Sequence, residues 1–195
     1  TPCTTTVSLA FAAGLAAQTS LAWRRVDQLT QGMASAIACD GHRGRTVLFG
    51  SYYLPQNTPN STGFDHAATF EFDGALWMPR PTLRQPSPRG DHRMCFDTKR
   101  GLVVLFGGRS GNTWFGDTWE YDGVDWQPRT PALSPNPRIG HAMAYDETHQ
   151  VTLMYGAAWR PDLMWQWDGT KWQQLPQPPA LLRHNDAAAA FDTAR

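Results

Sequence analysis

The chain repeats itself, and the repeat constrains its fold more than any other feature. Asp-Gly with a Trp four positions after the Asp occurs three times, at Asp73-Gly74 with Trp77, Asp122-Gly123 with Trp126, and Asp168-Gly169 with Trp172, at intervals of 49 and 46 residues. An apolar run closing on aromatic-Gly recurs at 47–50, 103–107 and 152–156. A third element ends in Asp40, Asp97, Asp146 and Asp192, spaced 57, 49 and 46 residues apart. The stretch from the closing Gly to the next Asp-Gly falls from 23 to 15 to 12 residues, which accounts for the whole change in period. Length variation is therefore confined to one loop around a constant core, the way repeat proteins accept insertions.

Each unit reads as four short strands. The first is the alternating stretch before the Asp, as in His141-Ala-Met-Ala-Tyr145, and the turn after it is exemplified by Asp97-Thr-Lys-Arg-Gly101. The second is the continuous apolar run, which suits a strand buried on both faces. The third, Thr118-Trp-Glu-Tyr121 or Met164-Trp-Gln-Trp167, leads into the Asp-Gly turn, and the fourth carries the single Trp. Nine Trp, nine Phe, five Tyr, 17 Gly and 15 Pro agree with many turns and few helices. No helical period stands out beyond an apolar N-terminal run.

Four-stranded units of this length with Gly-ended second strands indicate a propeller. The residues resemble the kelch repeat in Gly107-Gly108 after strand two, in the aromatic-Asp pair and in the strand-four Trp. Asp117-Thr-Trp-Glu-Tyr-Asp-Gly123 is similar to kelch units of exported microbial proteins and to the central propeller of galactose oxidase. The resemblance covers roughly residues 20–195 and departs from the pattern at the second Gly, where Ser51 and Ala157 stand. It implies an all-β fold, a kelch-like β-propeller of four-stranded antiparallel blades, with three whole units plus partial ones.

The units span about 32–79, 88–128 and 137–175, with a partial one from 183, in a propeller region of residues 18–195. Residues 1–17 read as a signal-peptide remnant, since 7–17 is a run of small apolar residues with Gly14 and Ala16 as candidates for a signal-peptidase site. The alternative is a buried N-terminal helix or strand; the run is too short to span a bilayer as a helix. A secreted, periplasmic or cell-surface location follows from the export reading. Trp23-Arg-Arg-Val26 matches a fourth strand, and residues 183–195 match only a first strand and the start of its turn, so the natural protein is expected to extend past Arg195.

Strands in a blade alternate in direction. The loop after strand two therefore lies at the same end as the link from strand four to the next strand one, and the short turns lie at the other end. At the loop end, Arg89-Gly-Asp-His92 and Arg138-Ile-Gly-His141 precede strand one in two units. They read either as cations and imidazoles gripping an acidic or hydroxyl-rich ligand or as supports of the fold, with Arg bonding backbone carbonyls. The unit-specific loops add Tyr52, Tyr53 and Phe64, then Arg109, Asn112, Trp114 and Phe115, then Trp159, Arg160 and Asp162. Residues that change between units have room for function, and Trp or Tyr beside Arg and Asn suits stacking and hydrogen bonding to a sugar or peptide; the alternative is that these aromatics fold back to cap the blades. The candidate ligand-binding set is Arg89, His92, Arg109, Trp114, Arg138, His141, Trp159 and Arg160, whereas Trp77, Trp119, Trp126, Trp165 and Trp172 are expected to be structural.

No nucleophile elbow, P-loop, zincin or EF-hand motif occurs, so neither a catalytic residue nor a cofactor is expected. The six His show no ligand spacing, and Cys3, Cys39 and Cys95 form no CxxC pair, so no metal is expected either. Cys39 and Cys95 lie one repeat position apart on first strands, on opposite faces, which argues against their pairing. With 17 basic and 17 acidic residues, net charge is zero and gives no reason to expect nucleic acid; membrane insertion of the mature chain is not expected. The expected function is a binding module for a carbohydrate or protein ligand. The alternatives are a propeller belonging to a larger carbohydrate-active or oxidase-like enzyme, and a sialate-epimerase-like activity using Arg89, His92, Arg138 and His141.

Overall fold

In the computed structural model, residues 35–53, 64–156 and 164–176 are described, and they form three four-stranded antiparallel sheets in which neighbouring strands follow chain order. The first contains β1 (Ala36–Asp40), β2 (Arg45–Tyr53), β3 (Phe64–Phe72) and β4 (Trp77–Arg80), so Tyr52, Tyr53 and Phe64, expected in the variable loop, belong to strands that continue past a register shift after Phe49. In the second, β5 (Arg93–Asp97), β6 (Leu102–Phe106), β9 (Thr118–Tyr121) and β10 (Trp126–Arg129) make the sheet, and a separate hairpin of β7 (Arg109–Ser110) and β8 (Thr113–Trp114) fills the loop between β6 and β9. The third has β11 (Ala142–Asp146), β12 (Val151–Tyr155), β13 (Met164–Trp167) and β14 (Trp172–Leu175). The described residues include no helix, so the fold is all-β, and its successive sheets are compatible with a β-propeller. The signal-peptide reading, the Trp23 segment and the partial unit from 183 lie outside the described residues.

The repeated Asp residues build the turns. Asp40, Asp97 and Asp146 each end a first strand, and Oδ1 of each accepts the backbone N–H of the residue three positions on, at 2.9–3.1 Å. The Asp of each Asp-Gly pair does the same for the two N–H groups at the far side of its turn, as Asp122 does for Val124 and Asp125, both at 2.8 Å. A carboxylate thus satisfies donors that a tight turn would leave bare.

Alternation along the middle sheet explains the continuous apolar strands. Val103 and Leu105 of β6 pack with Val47 and Phe49 of the first sheet, while Val104 and Phe106 pack with Met154 and Trp172 of the third. Similarly, β5 sends Met94 and Phe96 one way and Cys95 the other. A strand covered on both faces needs no polar side.

In the second and third sheets the strand-four Trp bolts its sheet to the preceding one. Trp126 donates through Nε1 to Thr69 Oγ1 at 2.9 Å and meets Phe49 edge-on, and Trp172 does the same with Thr118 (2.8 Å) and Phe106. Next to these contacts lie two buried carboxylates, Glu71 and Glu120. Glu71 accepts from Arg43 (2.6 Å), Arg80 (2.8 Å) and the Tyr121 hydroxyl of the next sheet (3.1 Å). Glu120 accepts from Arg100 and Arg129, both at 2.6 Å, and from Trp167 Nε1 of the next sheet at 2.9 Å. Burial opposes the charge of Arg43, but Glu71 and Asp40 outweigh it and hold the guanidinium above its ordinary value; burial likewise opposes Arg100, where Glu120 and Asp97 prevail.

Candidate functional site

The loop after β6 and the lead-in to β5 come together at one end of the second sheet, as the strand directions require. Gly90 and Arg109 exchange two backbone hydrogen bonds of 2.9 Å, which ties the β7–β8 hairpin to the segment before β5. The hairpin also reaches the lead-in of the third sheet: Gly108 N donates to Arg138 O (2.9 Å), and Arg138 N donates to Phe115 O (3.1 Å). Gly108, the second Gly of the only Gly-Gly pair, sits at φ +97°, and a Cβ there would lie 2.7 Å from the Gly90 carbonyl. Only a glycine lets the hairpin approach so closely.

The residues repeated at the lead-ins are buried. Arg89 donates to Ser87 O (3.0 Å), to Gly107 O (3.0 Å) and, as a fork, to both oxygens of Asp117 (2.6 and 2.9 Å), with its guanidinium 3.9 Å from the Phe115 ring centre. Arg138 donates to Asn136 O and Gly156 O, both at 3.1 Å. Their donors hold loop backbone together. Asp117 is pulled below the usual carboxylate range: burial pushes it up, and the Arg89 fork and the Trp119 indole outweigh that push.

His92 and His141 have no exposed surface. His92 meets Phe49 edge-on, and His141 meets Phe106 in the same way, each ring bridging to the preceding sheet. Neither ring makes a hydrogen bond of good geometry. Burial holds His92 down to about 3, helped by Arg89 and Arg93 and opposed weakly by the Phe49 backbone. His141 is also held well below its ordinary value, by burial, Arg138 and Arg93. Both rings are neutral at physiological pH.

Arg109 and Trp114 face each other across the hairpin. Arg109 is about half exposed and pairs with Asp91 at 2.7 Å; Asp91 itself adopts φ +58°. Trp114 is partly exposed, and Asn112 and Thr113 at the tip are exposed. Neither Trp114 nor Arg109 belongs to either core cluster. Trp159 and Arg160 lie outside the described residues. The five Trp expected to be structural divide: Trp77, Trp126, Trp165 and Trp172 are buried, while Trp119 is partly buried against the first core cluster and donates to Asp117 at 2.7 Å.

Sequence reasoning passed over Arg93, the first residue of β5 and partly exposed. Its one sign in the sequence was positional: Arg93 pairs with Phe106 where Ala36 pairs with Phe49 and Ala142 with Tyr155. Cys95 is buried, bonded to Thr152 Oγ1 (3.4 Å) and pushed up to about 12 by burial, so it is an inert thiol. Among the described residues no cluster of three or more His, Cys, Asp or Glu could hold a metal ion, and no helix is long and apolar enough to cross a membrane. No protein-family model matches the chain, and no curated protein matches it.

Proposed function

We propose that this protein is an exported kelch-type binding module that recognises a glycan through the loop end of its sheets. The observation that carries the reading is the β7–β8 hairpin, which stands outside the repeat and presents Trp114 and Arg109 beside the short polar residues Ser110, Asn112 and Thr113. A partly exposed indole stacks on a sugar ring, and guanidinium and amide groups bond its hydroxyls. Arg89, His92, Arg138 and His141 serve this surface from beneath, since their buried side chains fix the loops. Being buried, and in the case of the imidazoles held neutral, they also offer poor acid/base groups to an epimerase-like reaction.

Glycan-array binding by the full chain tests the reading. Trp114→Ala and Trp159→Ala should each weaken glycan binding by about 0.5–1.5 kcal/mol per lost stacking contact, with the melting temperature lowered by no more than a few degrees. Binding to peptide or protein probes with no glycan bound would replace the glycan by a protein ligand. Loss of folding in Trp114→Ala would show that the indole caps the sheet.

A further inference from the structure

We propose that Arg93 is an anion-binding residue of this site and that the glycan it selects carries a carboxylate, as a uronic acid does. The inference rests on the glycan-binding reading and gives it a substrate class.

The repeat does not need a cation at this position. In register, the equivalents of Arg93 in the first and third sheets are Ala36 and Ala142, and both strands form the same pairing without one. Arg93 also differs from the arginines that brace the sheets. Arg43 and Arg80 share Glu71, Arg100 and Arg129 share Glu120, but Arg93 makes no ion pair among the described residues. Its one hydrogen bond runs from Nη1 to the carbonyl of its own neighbour, His92, at 3.1 Å. The remaining guanidinium N–H groups are therefore available to an incoming acceptor.

Position and surroundings agree. Arg93 opens β5 three residues after Gly90, whose backbone holds the hairpin at Arg109, so it lies at the loop end. Side chains two apart on a strand share a face, and Cys95 reaches Thr152, so Arg93 is turned towards the third sheet. There it lies near enough to His141 for its charge to weigh on that ring, as it does on His92. Both rings are neutral, and the nearest acid along the chain, Asp91, is paired with Arg109. The result is a partly buried positive charge with no counter-charge from the described protein. A carboxylate accepts two parallel N–H bonds from such a fork, and a charged bond of this kind is stronger than one to a neutral hydroxyl.

The probe is oligogalacturonate, compared with the same oligosaccharide after reduction of its carboxyl groups, in titration calorimetry on the full chain. Wild type should bind the acid form about 10- to 100-fold more tightly than the reduced form. Arg93→Ala, which installs the residue of the other two sheets, should remove that preference at unchanged melting temperature, and Arg93→Lys should keep part of it. Equal binding of the two forms, or an unchanged preference in Arg93→Ala, overturns the proposal while leaving glycan binding standing. Should Arg93→Ala fail to fold, Arg93→Lys and the reduced oligosaccharide still decide it. Binding of poly-glutamate as tight as that of oligogalacturonate, and equally dependent on Arg93, overturns the glycan class. Absence of binding to either oligosaccharide or to any arrayed glycan overturns both readings.

Discussion

Replacing Trp126 by Ala removes the largest fully buried side chain between the first two sheets. Truncating a buried Trp costs about 3–5 kcal/mol. Here the ring is also stacked on Tyr121 and edge-on to Phe49, each at 5.1 Å between centres, and its N–H satisfies a Thr69 hydroxyl that is itself buried. Those contacts put the loss in the upper half of the range, about 4–5 kcal/mol, a large part of the total for a domain of ordinary stability. Trp126→Phe keeps a six-membered aromatic ring but loses the N–H and part of the indole, leaving a small cavity and Thr69 without its donor, so it should cost about 2–3 kcal/mol. Trp114→Ala, outside both core clusters and partly in solvent, should cost about 1 kcal/mol or less. Urea unfolding of the full chain followed by far-UV circular dichroism, extrapolated linearly to water, ranks the three. If Trp114→Ala matches Trp126→Ala, the division between sheet-bolting and loop aromatics is wrong.

Gly107→Ala should destabilise by about 2–4 kcal/mol, because the residue sits at φ +71° and a Cβ would come 2.6 Å from the Arg138 carbonyl; Gly111→Ala, at φ +55° with open space, should cost about 1 kcal/mol. Equal melting temperatures for the two variants would refute the close approach of the hairpin to the third sheet. Asp117 is held below its unfolded value, so its pairing with Arg89 stabilises the fold above the unfolded pKa of about 3.9 and is lost as pH falls through the lower folded value. Stability measured from pH 7 to pH 2 should fall less steeply at the acid end in Asp117→Asn, and an unaltered slope would show that the pair does not carry this term.

The strands and turns were legible because their signals are local. The Asp of each turn bonds N–H groups two or three residues away, and a strand covered on both sides must be apolar throughout. The shared end of the loops followed from strand direction alone, and the Gly90–Arg109 pairing meets that expectation. Glu71 and Glu120 were not legible. Their partners lie nine to 50 residues away, and their faint sequence trace is a Glu two positions before Asp73 and before Asp122, with an Arg three after Asp40 and after Asp97. Nor could sequence alone separate the two readings of Arg89 and Arg138. Which carbonyls a guanidinium meets depends on how the loop of one unit lies against the lead-in of the next.

The two ends of the sheets divide the labour. At the turn end, chemistry recurs from unit to unit: Arg43 reaches Glu71 and lies under Gly123 of the next sheet, and Arg100 reaches Glu120 and lies under Gly169. At each junction a Cβ on that glycine would come within 2.7 Å of the guanidinium. The third sheet carries different groups at the matching positions, with His149 for the arginine, Gln166 for the glutamate and Met164 for the threonine. Its outward side therefore lacks the buried anion and the hydroxyl that join the first sheet to the second and the second to the third. At the loop end, by contrast, only the buried supports recur, and what stands above them varies. Surface residues there can change without disturbing the bolts that hold the sheets together. Arg93 combines both conditions, since it is a variable residue at a strand position whose backbone pairing recurs in all three sheets. A recognition group held in that way gives up little freedom when a ligand arrives, and its charge is left unspent until then.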